Sequence, residues 1–208
     1  MKFVARILIA ILSVYIVSKS FRYLGFEVTG ILEDKGPLVK DFFYKLGFYS
    51  HVIFGSIALL TGPWQFFKRF RNKQIKLHRT LGKIYIISCL LGSIAGFGIA
   101  FFAAGGIVGK LGFMAAAVFW FHLTFMAYRK IIVKDVPAHE KWMISSFAMT
   151  FAAVTLRMWL GILIGLFDLS YINAYTTVAW LSWIPNLLVA LAIFQFMNRN
   201  KIKTQNSL

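Results

Sequence analysis

Six apolar runs alternate with short charged blocks along the chain: about Val4–Val17, Phe48–Phe67, Leu81–Ala104, Leu111–Tyr128, Trp142–Phe167 and Ala174–Phe196. All but the short first run approach the ~20 residues that a helix rising about 1.5 Å per residue needs to cross roughly 30 Å of hydrocarbon. A helix also satisfies its own backbone where no water is present. The pattern therefore predicts an all-α integral membrane protein with six transmembrane helices, the second to fifth forming the bundle core. The chain divides into an N-terminal anchor (1–18), an extracytoplasmic amphipathic loop (19–47), a histidine-bearing core (48–167), a sixth helix with a short loop (168–198) and a basic tail (199–208). Gly36-Pro37 is a turn signal inside the loop, and Leu38 to Tyr44 is amphipathic. The first run is short enough to be a leader core, but Ser18-Lys19-Ser20 is a poor cleavage site, so a retained anchor is expected.

Composition agrees with a bilayer: 59% of residues are hydrophobic, 17% aromatic and only 14% charged, too little polar surface for a water-facing globule. The net charge of +16 would suggest nucleic acid in a soluble chain. Here the basic residues flank apolar spans, where they set orientation and meet anionic headgroups, so no nucleic-acid partner is expected. With Arg157 set aside, sixteen Lys and Arg fall on one side of the six-span layout and six (Lys19, Arg22, Lys35, Lys40, Lys45 and Lys110) on the other. Basic loops stay inside, so both termini are expected in the cytoplasm.

Packing signals are present as well. Gly92, Gly96 and Ala100 form a small face on the third span, which permits close backbone approach. Gly62-Pro63 and Pro185 are candidate kinks, and Tyr128 and Trp142 candidate interfacial anchors. The single cysteine, Cys89, lies within a span; it forms no disulfide within the chain and reads as a packing residue.

All seven acidic residues lie in loops or at span ends, which argues against ion-coupled transport, since that chemistry uses intramembrane carboxylates. Four histidines, His51, His78, His122 and His139, fall on or beside spans two to five. Measured from the cytoplasmic end, His51 stands roughly 24 Å up and His122 roughly 9 Å up, while His78 and His139 both sit at the edge, just before Leu81 and Trp142. Two axial ligands of one haem share a level, so His78 and His139 are the best pair. Arg157 lies roughly 22 Å up, near the level of His51. No acid shares that level, and Arg157 is expected to face the bundle and meet a carbonyl, His51 or a bound anion. Gln65 is a weaker polar candidate for the same interior.

His51 with Gly55, Ala58-Leu59, Gly62 and Gln65, then His78-Arg79 with Gly82 and Tyr85, Ala138-His139 with Trp142-Met143, and Leu156-Arg157 together resemble the bacterial membrane family called domain of unknown function 2306. The resemblance runs from about His51 to Arg157. It implies a multi-helix membrane protein and brings no activity with it. His51, Gln65, His78, His139 and Arg157 match the pattern; His122 falls where the family does not call for histidine. Four histidine-bearing helices also look superficially like the two-haem cytochrome b561 group, from which the unequal levels of His51 and His122 depart.

The residues lead first to a b-type haem electron carrier, with His78 and His139 as iron ligands, Arg79 or Lys141 beside the propionates, and His51, Gln65 and Arg157 as further cofactor-side residues. No residue is assigned a catalytic role. The alternative is a non-catalytic subunit or scaffold that packs against lipid, a partner membrane protein or a second copy of itself. A third reading, a zinc hydrolase using His78, His122, His139 and Glu140, places His122 a turn or two too deep.

Overall fold

A computed structural model describes residues 3–21, 23 and 30–205. Among the described residues the regular structure is entirely helical. Helix α1 spans Phe3–Ser20, and a 3-10 segment, Gly30–Lys40, leads into α2, Phe42–Thr61. A 3-10 turn at Pro63–Phe66 and short α3, Lys68–Lys73, precede α4, Ile75–Ala100, and α5, Gly106–Ile132. Helices α6 (Val136–Thr150), α7 (Ala152–Gly165), α8 (Tyr171–Leu181) and α9 (Ile184–Gln205) complete the chain.

Among the described residues five stretches are long and apolar enough to cross a membrane: Phe42–Phe66, Ile75–Ala100, Gly106–Ile132, Val136–Gly165 and Tyr171–Phe196. The first helix, α1, is 18 residues long and is not among them. The fourth and fifth stretches combine two helices each. α6 and α7 meet at Phe151, and α8 and α9 at Ser182–Trp183, just before Pro185. Gly62-Pro63 ends α2 outright and opens the 3-10 turn, because proline lacks the N–H that would continue the ladder.

The helices start earlier than the apolar runs. α4 begins six residues before Leu81 and α6 six before Trp142, so His78 and His139 sit in the first turns of helices rather than ahead of them. Apolar length marks where lipid begins, whereas helix starts are set by capping: Asp135 accepts from the Ala138 amide at 3.2 Å, and Asp41 from Tyr44 at 2.7 Å, starting α2 ahead of Phe48.

Helix α4 lies between α2 and α5, α5 packs on α6 and α8, and α1 lies against α2 and α7. The small face of α4 is buried at Gly92, Gly96 and Ala100. A Cβ at Gly92 would touch Trp120 and Phe54, and one at Gly96 would come within 2.7 Å of His51 Nδ1. The core joins Ala58, Tyr85, Cys89, Trp120, Met143 and Phe147. Large apolar side chains such as Ile84, Ile87, Leu91 and Ile94 of α4 point outward, as lipid contact requires. At the far end of α4, Lys35 donates to the Phe102 carbonyl at 2.6 Å, tying the 3-10 segment to the α4–α5 turn. That turn uses Gly105 at φ +85°, where a Cβ would collide with Thr176.

Candidate functional site

The start of α4 and the start of α6 lie at one end of the bundle, and the candidate site is built there. The His139 ring, on the first turn of α6, is held from α5. Its Nδ1 donates to the Ala127 carbonyl at 2.8 Å, and since a carbonyl only accepts, the neutral ring carries its lone pair on Nε2. Holding one ring nitrogen in this way is how proteins orient a histidine whose other nitrogen binds a metal. The rings of His78 and His139 fall within electrostatic range of one another, and Arg71 and Arg79 are also within range of His78. Arg71 itself pairs with Glu140 at 2.7 Å, joining α3 to α6 beside the two histidines.

Two nitrogens at this end are buried without a hydrogen-bond partner among the described residues: His78 Nδ1 and Gln65 Nε2. Gln65 stands on the 3-10 turn with its amide against α4, so close that a Cβ at Gly82, one turn after His78, would lie 3.3 Å from its Oε1. Helix α1, whose Arg6 Nε is likewise buried without a partner, packs against the same turn. A buried donor left without an acceptor costs about 1–3 kcal/mol, and such atoms in a native fold call for an explanation, a bound group being one.

The other sequence candidates lie elsewhere. His51 is in the bundle, but its Nδ1 donates to the Gly92 carbonyl at 2.8 Å and its ring stands edge-on to Trp120. It joins α2 to α4 and is not brought to the His78 cluster. His122 is exposed and packs edge-on against Trp142 at 6.0 Å between ring centres. Among the described residues no three His, Cys, Asp or Glu side chains approach closely enough to hold a metal ion, so the three-histidine zinc arrangement is not assembled. Lys141 stacks its ammonium over Phe194 at 4.4 Å and is occupied there. Arg157 is exposed rather than enclosed by the core. It donates to the Ala153 carbonyl at 2.7 Å and lines a cleft between α1 and α7, and its charge still reaches His51, in keeping with a shared level.

A second polar cluster escaped the sequence reading. In the middle of the bundle Thr150 accepts from Trp120 Nε1 at 3.0 Å and bonds Tyr85 at 2.9 Å; Tyr85 also meets Ser146 at 3.0 Å, and Ser146 meets Thr124 at 2.6 Å. Cys89 lies 3.6 Å from Thr150, so it belongs to this cluster and is not merely an apolar filler. The signal was present as three i, i+4 pairs, Tyr85/Cys89 on α4, Trp120/Thr124 on α5 and Ser146/Thr150 on α6, each a one-faced polar stripe. Its meaning depended on the three stripes facing one another.

Among the described residues, an all-helical architecture with five apolar stretches of membrane length, outward apolar side chains and a polar cluster within an apolar core defines a multi-pass α-helical membrane protein. Residues 48–194, most of the chain, match the family model described as "Predicted membrane protein (DUF2306)". The chain belongs to that family, and the match extends past Arg157 into the last span. No curated protein and no solved structure matches the chain.

Proposed function

We propose that this chain is a six-span protein of the bacterial inner membrane, with both termini in the cytoplasm, that binds one b-type haem between His78 and His139 and passes electrons through it. The observation that carries this reading is that the two histidines stand in the first turns of helices at one end of the bundle, within electrostatic range of each other, with the Nε2 lone pair of His139 left available by the Ala127 carbonyl. The residues fit the group: two imidazoles, the buried nitrogens of His78 and Gln65, and Arg79 nearby to meet a carboxylate. Bound there, the haem supplies a one-electron couple whose potential the surrounding charges tune. Arg71 and Glu140 brace α3 against α6 and keep the two helix starts in register.

Lys35 meets the α4–α5 turn while Arg71 meets Glu140 at the opposite end of α4, so a residue from the loop poor in basic residues and one from the basic-rich loop fall at opposite ends of the bundle, which the proposed topology requires.

A second reading rests on the hydrogen bonds themselves. His51 and His139 each bridge two helices through a carbonyl, which suffices for a scaffold whose histidines serve packing alone. An optical spectrum of mildly purified protein separates the two. The haem reading expects a Soret band and a reducible α-band, lost in His78→Ala and in His139→Ala and retained in His122→Ala. Protein produced with ample haem that shows no such bands, or full absorbance in both single variants, leaves the scaffold.

A further inference from the structure

Residues 67 to 74 connect two stretches of membrane length, Phe42–Phe66 and Ile75–Ala100. Helix α3 fills this connection, set apart by extended backbone at Phe67 (φ −87°, ψ 101°) and by the non-helical Gln74 (φ −131°, ψ 55°). Its two faces differ. Phe70 and Arg71 are partly buried: Phe70 packs on Trp64 at 6.0 Å between ring centres, and Arg71 reaches Glu140. Lys68, Arg69, Asn72 and Lys73 are exposed, as is Lys76 in the first turn of α4. No acidic residue occurs between Asp41 and Asp135. Of the two acids at the start of α6, Glu140 pairs with Arg71 and Asp135 with Lys130 at 3.4 Å. Lys68, Arg69, Lys73 and Lys76 make no ion pair among the described residues, and the tail from residue 197 to residue 208 brings no acidic side chain. Large apolar side chains, Trp64, Ile75 and Leu77, are exposed among these cations.

We propose that α3 and the first turn of α4 form a docking surface for anionic lipid headgroups at the membrane boundary. Two features commit the surface to lipid rather than to an acidic protein. The first is its short tether. Lys68 stands two residues after one span and Lys73 two before the next, and two residues of extended chain reach at most about 7 Å. That is about the depth of one headgroup layer, so these cations stay within it. The second is the apolar admixture. Trp64, Ile75 and Leu77 gain from the headgroup–acyl boundary, whereas an acidic protein face matches the charge and leaves them in water. Each Lys or Arg near an anionic surface favours it by roughly fivefold, so several together distinguish phosphatidylglycerol from the zwitterionic phosphatidylcholine. The inference is independent of the haem reading, uses none of the histidines, and holds whichever leaflet this end faces.

The test places an environment-sensitive fluorophore on Asn72→Cys, an exposed position of α3; Cys89 is buried, which confines the label to position 72. The labelled chain is reconstituted into phosphatidylcholine vesicles containing 20% phosphatidylglycerol, with a headgroup nitroxide quencher carried by one lipid or the other. Quenching reports which lipid borders α3. Phosphatidylglycerol is expected to be preferred about fivefold or more over its bulk share, and less as salt is raised from 0.05 to 0.5 M, because the Debye length shortens. The preference should fall at least threefold in Arg69→Gln/Lys73→Gln and vanish when Lys68→Gln and Lys76→Gln are added. It should persist in the charge-matched Lys201→Gln/Lys203→Gln. The first double variant keeps the test decisive if the quadruple variant does not insert. Equal quenching by the two lipids in the otherwise native chain, or a preference untouched by Arg69→Gln/Lys73→Gln, overturns the proposal. Absence of quenching by either lipid puts α3 in water and overturns the lipid in favour of a soluble acidic partner.

Discussion

Thr150 is the hub of the central polar cluster: the Trp120 indole, the Tyr85 hydroxyl and the Cys89 thiol all reach it from two other helices. Valine at this position keeps the shape but leaves a buried indole N–H and a phenol short of a partner. Thr150→Val is therefore expected to cost about 1–3 kcal/mol, measured as a shift in reversible unfolding in mixed micelles. Tyr85→Phe removes one hydroxyl whose neighbours Ser146 and Thr150 keep other partners. Its cost should be nearer the ~0.6 kcal/mol typical of an interhelical hydrogen bond in a membrane protein. A Thr150→Val loss no larger than that of Tyr85→Phe would remove the hub role. The Arg71–Glu140 pair is a different case. Both side chains are about one-third exposed, so Arg71→Gln should change stability by no more than about 1 kcal/mol; its consequence would be seen in the haem spectrum, if the site is as proposed, through altered placement of His139.

At the level of helices, the most extensive packing is that of α2 on α4, and it depends on where α4 lacks side chains. A methyl at Gly96 would meet His51 Nδ1 at 2.7 Å and Cε1 at 3.0 Å, whereas one at Gly98, on the other face of the same helix, meets nothing within 4 Å. Gly96→Ala should then destabilise by about 1–3 kcal/mol through overpacking and displace the His51–Gly92 bond. Gly98→Ala should be neutral or slightly stabilising, since alanine is the better helix former. Similar unfolding midpoints for the two variants would show that His51 does not pack as described. The breaks at Phe151 and Ser182 belong to this scale too. At the second, Thr155 donates to the Ser182 carbonyl at 2.6 Å and Asn186 donates to the Ala148 carbonyl and to Thr155. Polar side chains of neighbouring helices thus satisfy backbone groups that an interrupted helix would leave open.

For the molecule as a whole, the distribution of basic residues and the two ends marked by Lys35–Phe102 and Arg71–Glu140 lead to one expectation. Single cysteines at positions 73 and 203, in an otherwise cysteine-free Cys89→Ser background, should react with a membrane-impermeant thiol reagent only after the membrane is opened. A cysteine at position 34 should react in intact cells. Labelling of position 34 only from the cytoplasmic side would invert the orientation. If positions 73 and 203 lay on opposite sides, the count of spans would be wrong instead.

The sequence by itself determined that the chain is helical and membrane-embedded, because a bilayer imposes a length and an apolar composition that can be counted residue by residue. Those same rules located His78 and His139 at a common level and marked the small face of α4 at Gly92 and Gly96, since rise per residue and helical periodicity are local. The tertiary structure alone decided which faces meet. It assembled Tyr85, Trp120, Thr124, Ser146 and Thr150 into one network, turned His122 outward, gave His51 to the Gly92 carbonyl, and set Arg157 in a cleft beside Lys19. These depend on the rotation of each helix about its axis. One-dimensional hydropathy leaves that angle undetermined, and the packing of six or more neighbouring surfaces selects it together.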